Sequence, residues 1–165
     1  MHLLAPCDSL GALQGDLNVH SLNASEAERA RGLIESAPFI GQLGIRFRDC
    51  GEGWCETSLE GTPELTQQDG FLHAGVLATM ADHTASAAAA TRMSEGQRVL
   101  SIEFKINLLR PASGRQVRCR ADVLRHGRTI SVVESDVFCL IDQGEKRVAR
   151  ATVTLAIGSE TAPAS

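Results

Sequence analysis

The chain has 165 residues, a formal net charge of −4 at pH 7 and a pI near 5.7, with 43% hydrophobic and 22% charged residues. That length fits one domain with a sizeable core, and the acidic balance argues against a dedicated nucleic-acid binder. Five scattered cysteines (Cys7, Cys50, Cys55, Cys119, Cys139) have an odd total and no CxxC spacing, which leaves free thiols in a reducing cytoplasm as the expectation rather than a metal site or a disulfide framework.

The first residues, MHLLAPC, end at a cysteine but lack a basic segment and fall far short of the roughly 7–15 apolar residues of a signal core. Residues 1–24 mix Gly, Pro, Asn and Ser without period. Ser25-Glu26-Ala27-Glu28 then opens a short helix, acids in its first turn, reaching about Ser36 before Pro38. Residues 1–40 are accordingly read as an N-terminal arm with a short helix. Ile45 and Phe47 alternate with charges, Gly51–Gly53 supplies a turn, and Trp54–Glu60 returns as a strand. A polar loop, GTPELTQQDG, leads into Ala74–Thr91.

That segment holds eight alanines, and its only ionisable groups are Asp82 and His83. It approaches the length of a membrane span, but those two groups and the many small residues point to a core helix of a soluble protein. A carboxylate buried there without partners would take up a proton. Asp82 is therefore either well hydrogen-bonded or chemically employed.

Four strands are predicted after the helix. Val99–Leu109 sets Leu100, Ile102, Phe104, Ile106 and Leu108 on one face and Ser101, Glu103, Lys105 and Asn107 on the other. Val117–Leu124, Thr129–Ile141 and Arg147–Ile157 follow, the last two separated by a turn at Asp142–Glu145. Period-2 patterning of this kind implies an antiparallel sheet with one buried face. A nearly uncharged helix must be covered on most sides, so the expected architecture is α+β, a curved antiparallel sheet wrapped round a long central helix. Residues 41–158 form this domain, and 159–165 are read as a flexible tail.

Between residues 98 and 128, eight cations (Arg98, Lys105, Arg110, Arg115, Arg118, Arg120, Arg125, Arg128) face only Glu103 and Asp122, an excess of six positive charges. Such a patch suits a phosphorylated ligand. Arg110 and Arg128, beside turns at Pro111 and Gly127, are the candidate phosphate contacts.

Gln67, the run His73-Ala74-Gly75 and then Asp82, followed by LLRPA after the first long strand and HGRTI at the next hairpin, resemble the hotdog-fold acyl-CoA thioesterases of the phenylacetate-degradation and 4-hydroxybenzoyl-CoA type. The resemblance runs from about Gly41 to Gly158. It implies hydrolysis of an acyl- or aryl-CoA thioester, with Asp82 as nucleophile or general base. It also implies that the Ala74 N–H polarises the carbonyl, that Gln67 assists, and that Ser101 positions the attacking water. His73 is expected to position the loop, and Gly75, Arg110, Pro111, Gly127, Arg128 and Thr129 to contact the CoA ester. Ala74 replaces the first glycine of the family's HGG, and Gln67 is longer than the usual Asn. No metal or cofactor is called for, since coenzyme A belongs to the substrate.

Ala74 and Asp82 are eight residues apart, about 12 Å along a helix, whereas an acid and an oxyanion donor must both sit roughly 3 Å from one reaction centre. A two-fold dimer, alone or doubled into a tetramer, satisfies both by pairing Ala74 of one subunit with Asp82 of the other. Two other readings rank lower. A non-catalytic acyl-CoA-binding hotdog domain would lack the acid, and a hotdog enoyl-CoA hydratase resembles a pattern with Asp five residues before His, where this chain has Gln68.

Overall fold

The structure, a computed structural model, describes residues 24–142 and 144–159, apart from the side chain of Glu26. The arm before Ala24 with Cys7, and the tail after Ser159, lie outside the described residues. Helix α1 (Ala24–Ser36) buries Ala30 and Ile34, one turn apart on one face. A second helix, α2 (Pro38–Leu43), was not predicted. At six residues it is too short to show a helical period. Its signals are Pro38 at the first turn and Gly44 in the left-handed conformation (φ 76°) at the end. It spans residue 40 and adds Ile40 to the same core as Ile34.

Strands β1 (Arg46–Gly51) and β2 (Trp54–Glu60) form a hairpin, followed by a single 3₁₀ turn at Pro63–Leu65. The long helix α3 (Ala74–Ala90) precedes β3 (Gln97–Leu108), β4 (Gln116–His126), β5 (Ile130–Ile141) and β6 (Gly144–Ser159). The six strands make one antiparallel sheet in the order β1-β2-β4-β5-β6-β3. Helix α3 crosses its inner face, touching β2 through β6, while α1 packs against the helix from outside. Alanine is the best helix former, and several inner residues of the strands are small too: Cys119, Ala121, Ser135, Ala149 and Ala151 are fully buried, beside larger ones such as Val133, Val137 and Leu155.

Strand β5 keeps the predicted alternation, β4 keeps it from Val117 to Val123 and β6 from Ala149 to Ile157, but β3 does not. Its pairing with β6 shifts between Ser101 and Glu103, so that Ser101 opposes the buried Leu155 while Phe104 opposes the buried Val153. Ile102 is the extra residue of a bulge, and a bulge re-aims the side chains beside it. Leu100 therefore leaves the predicted apolar face and is 73% exposed, and Ser101 turns inward toward α3. As an edge strand, β3 also leaves Ile102, Phe104 and Leu108 exposed in a single chain, which corrects the expectation that this face is buried.

The outer face of the sheet is a ladder of ion pairs: Arg118 with Glu56 and Glu145, Arg120 with Glu56 and Asp122, Arg147 and Arg150 with Asp136. Arg120 also stacks over Trp54 at 3.9 Å. At Asp136, partial burial pushes the carboxyl pKa up, but the hydrogen bonds from Arg150 and Arg147 outweigh it and hold the group below its ordinary value. The four described cysteines are free thiols, and burial pushes Cys119 up to about 12. Among the described residues, no helix is long and apolar enough to cross a membrane.

Candidate active site

The start of α3 is built by His73. Its backbone is extended (φ −62°, ψ 138°), and its Nδ1 accepts the N–H of Gly75 at 2.9 Å, so the imidazole is the N-cap. Gly75 makes room for that ring, since a Cβ there would lie 3.0 Å from Nδ1. The His73 carbonyl takes the N–H groups of Val76 and Leu77. Of the four first-turn amides that a helix cannot satisfy internally, only the Ala74 N–H finds no acceptor among the described residues. Ala74 and Gly75 are exposed, so this N–H and the positive end of the helix dipole are open to a ligand oxygen.

Two turns along, Asp82 is half-buried rather than buried, which corrects the expectation drawn from its apolar neighbours. Gly75, Ala78, Thr79 and Asp82 form the uncovered stripe of α3. The Ser101 hydroxyl donates to Asp82 Oδ1 at 2.7 Å across 19 residues of sequence. Oδ2 has no protein partner among the described residues. One carboxylate oxygen is thus held and the other is open, an arrangement that leaves a base or nucleophile fixed in direction yet reachable.

The adjacent His83 points elsewhere, its Nε2 hydrogen-bonded to the Leu33 carbonyl of α1 at 3.0 Å. Burial of the ring holds its pKa below the ordinary 6.5, against the opposing pull of the Leu33 carbonyl and Asp82. As pH falls, the unfolded chain therefore takes up the proton first. The stability this residue contributes is full above about pH 6.5 and is lost as pH falls through the folded value. Thermal unfolding between about pH 7.5 and 5 is expected to show a falling Tm that is flatter in His83→Gln. Equal slopes would remove His83 as the cause.

Gln67 folds back on its own loop. Its Oε1 accepts the Asp69 N–H, and its Nε2 reaches Asp69 Oδ2 at 3.3 Å. The predicted phosphate contacts are not brought together. Leu108, just before Arg110, opposes Ala149 of β6, whereas Ala156 of the same strand opposes Ile130, just after Arg128. Seven residues of strand separate these ends, roughly 23 Å, so Arg110 and Arg128 cannot grip one phosphate within a chain. The turns they flank lie at opposite ends of an antiparallel sheet. The predicted excess of six charges is reduced on folding, because Glu56 and Glu145, which lie outside residues 98–128, pair with Arg118 and Arg120.

Arg110 binds the Arg147 carbonyl at 2.9 Å and lines an open notch with Phe138, Glu145, Lys146 and Arg147. The Lys146-Arg147 pair was missed, and its signal was a basic dipeptide just after the β5–β6 turn. Pro111 and Arg128 are exposed. Gly127 closes its hairpin through its N–H to the Ile130 carbonyl, and the Thr129 carbonyl takes the Ile157 N–H. A cleft of about 670 Å³ beside Arg46, Ser58 and Leu65 touches neither Asp82 nor Ser101.

A six-stranded antiparallel sheet curved round a long helix, with an acid on that helix and an open amide at its start, defines a hotdog-fold protein. The family model of the thioesterase superfamily matches residues 69–145. A solved thioesterase family protein from Silicibacter pomeroyi is 35% identical, with a TM-score of 0.79, covering 81% of this chain and 98% of that one. A solved thioesterase from Haemophilus influenzae is 26% identical, with a TM-score of 0.72 over 84% of this chain and 94% of that one. A 1,4-dihydroxy-2-naphthoyl-CoA hydrolase of Listeria monocytogenes is 28% identical over 115 residues, 70% of this chain and 91% of the relative. The chain belongs to the thioesterase superfamily.

Proposed function

We propose that this protein hydrolyses the thioester of an acyl- or aryl-CoA to the free acid and CoA. The observation that carries the reading is the half-exposed Asp82 carboxylate, pinned through Oδ1 by Ser101 and open at Oδ2, on a helix otherwise without acids. Membership of the thioesterase superfamily and the naphthoyl-CoA hydrolase among its relatives support the thioester as substrate.

As general base, Asp82 takes a proton from water, whose oxygen attacks the carbonyl carbon. The oxyanion forms at the Ala74 N–H, the C–S bond breaks, and the thiolate leaves with the proton Asp82 had taken. As nucleophile, Asp82 itself adds to the carbonyl, and the C–S bond breaks to expel the CoA thiolate. Water then cleaves the resulting anhydride, releasing the free acid and the Asp82 carboxylate while a proton from that water ends on the thiolate.

Either route needs Ala74 and Asp82 at one carbonyl, so the working unit is a two-fold dimer. The free edge of β3, the strand that carries Ser101 and exposes Leu100, Ile102, Phe104 and Leu108, supports a second copy as its cover. In such a dimer the Arg110 notch of one subunit and the Arg128 hairpin of the other are the candidate holders of the CoA phosphates, with Gly75, Pro111, Gly127 and Thr129 shaping the path between.

Following thiol release from a panel of aliphatic and aromatic CoA esters tests the reading. Hydrolysis of at least one ester, with kcat/KM of about 10⁴ M⁻¹s⁻¹ or more, is expected. Tight binding of CoA esters without thiol release from any would instead make the protein a binding domain.

A further inference from the structure

A helix built from alanine offers few ridges to lock into a neighbouring surface. Beyond the larger Leu77 and Met80, helix α3 buries Ala81, Ala85, Ala87 and Ala88 against a sheet whose inner residues include the small Ala121, Ser135 and Ala151 beside Val133, Val137 and Leu155. Where methyl meets methyl, packing holds the helix close but resists rotation less than a directional bond does, so hydrogen bonds along Ala81–Ala88 add to what Leu77 and Met80 fix. Rotation matters here. The Asp82 carboxyl stands roughly 6 Å from the helix axis, so a turn of about 10° carries it about 1 Å, and a misplacement of that size is worth up to about 100-fold in rate.

Two hydroxyls from the sheet, those of Ser135 and Thr57, make directional contacts on the buried side of this turn of α3. Ser135 of β5, fully buried, donates to the Ala81 carbonyl at 2.9 Å, one residue before Asp82. Thr57 of β2 meets Thr84 at 2.7 Å, and Thr84 donates on to the Met80 carbonyl at 2.6 Å. All three hydroxyl-bearing residues are 0% exposed. Helical carbonyls already accept an intrahelical N–H, so the fold does not need these second bonds to satisfy the helix. On the opposite side, Ser101 of β3 holds the carboxylate itself.

We propose that Ser135 is a positioning residue of the thioester site: its hydroxyl, seconded by the Thr57–Thr84 pair, fixes the rotation of α3 and so aims Asp82 at Ser101 and the substrate carbonyl. The inference rests on the hydrolase reading above for its kinetic consequence, not for its structural one. Ser135→Ala removes a single oxygen and leaves the packing intact, and Ser135→Thr keeps the hydroxyl.

Ser135→Ala is expected to lower kcat about tenfold while KM stays within about twofold, and Ser135→Thr to recover most of kcat. Ile34→Val, a buried change in α1, loses comparable thermal stability without the loss of kcat. The ¹³C resonance of the Asp82 carboxyl, followed through a pH titration, should move in Ser135→Ala and in Thr57→Val but not in Ile34→Val. Wild-type kcat together with an unmoved Asp82 titration in Ser135→Ala overturns the proposal. If the wild type cleaves no CoA ester, the hydrolase reading has failed, and the carboxyl resonance alone still decides whether Ser135 positions Asp82.

Discussion

Asp82→Asn is expected to reduce kcat for thioester hydrolysis by about 10²–10⁴-fold, the range lost when a positioned base is removed. The substitution is nearly isosteric. The amide oxygen still accepts the Ser101 hydroxyl that now lies 2.7 Å from Oδ1, so the local geometry survives. Because Asp82 is half-exposed and has no ion-pair partner among the described residues, stability should change by no more than about 0.5–1 kcal/mol. A thiol-trapping assay beside a thermal melt separates the two effects. A variant that keeps the full rate would move the chemistry to another residue and leave the Ser101–Asp82 contact as a structural bond.

Ala74→Pro is expected to cost about 10²–10³-fold in kcat, the loss seen when an oxyanion donor is deleted, with Tm almost unchanged. Proline is favoured at the first position of a helix, and the preceding His73 already has the extended conformation (φ −62°, ψ 138°) that proline demands of its neighbour. The change therefore removes one N–H, the one without an acceptor among the described residues, and little else.

The same pair of variants tests the composite site. A dimer with one Asp82→Asn subunit and one Ala74→Pro subunit has one site with both groups intact and one with neither. Random co-assembly makes half of the dimers mixed, so the mixture should recover roughly a quarter of wild-type activity. A mixture no more active than the two variants alone would place both groups of each site in a single chain and overturn the dimeric arrangement.

Much of this site could be read locally. A lone acid in an alanine-rich run is visible because helix propensity and charge are properties of neighbouring residues, and the His73-Ala74-Gly75 start is visible for the same reason. The strands were legible from period-2 alternation. Helix α2 was not, since six residues cannot display a 3.6-residue period. The basic patch was overcounted because its count took in only the carboxylates near in sequence, whereas Glu56 and Glu145 reach Arg118 from other strands.

Ser101 shows most plainly where the division falls. Sequence determined that residues 99–109 form a strand, that α3 is an apolar helix and that Asp82 is its one acid, because backbone preference and side-chain periodicity act over a few residues. It assigned Ser101 to the polar face with Glu103. Pairing with β6 decided otherwise: the bulge at Ile102 turns Ser101 inward and onto Asp82. Side-chain direction in a strand flips with each single-residue shift. That shift is set by the partner strand, far away in sequence, and only the tertiary structure supplies it.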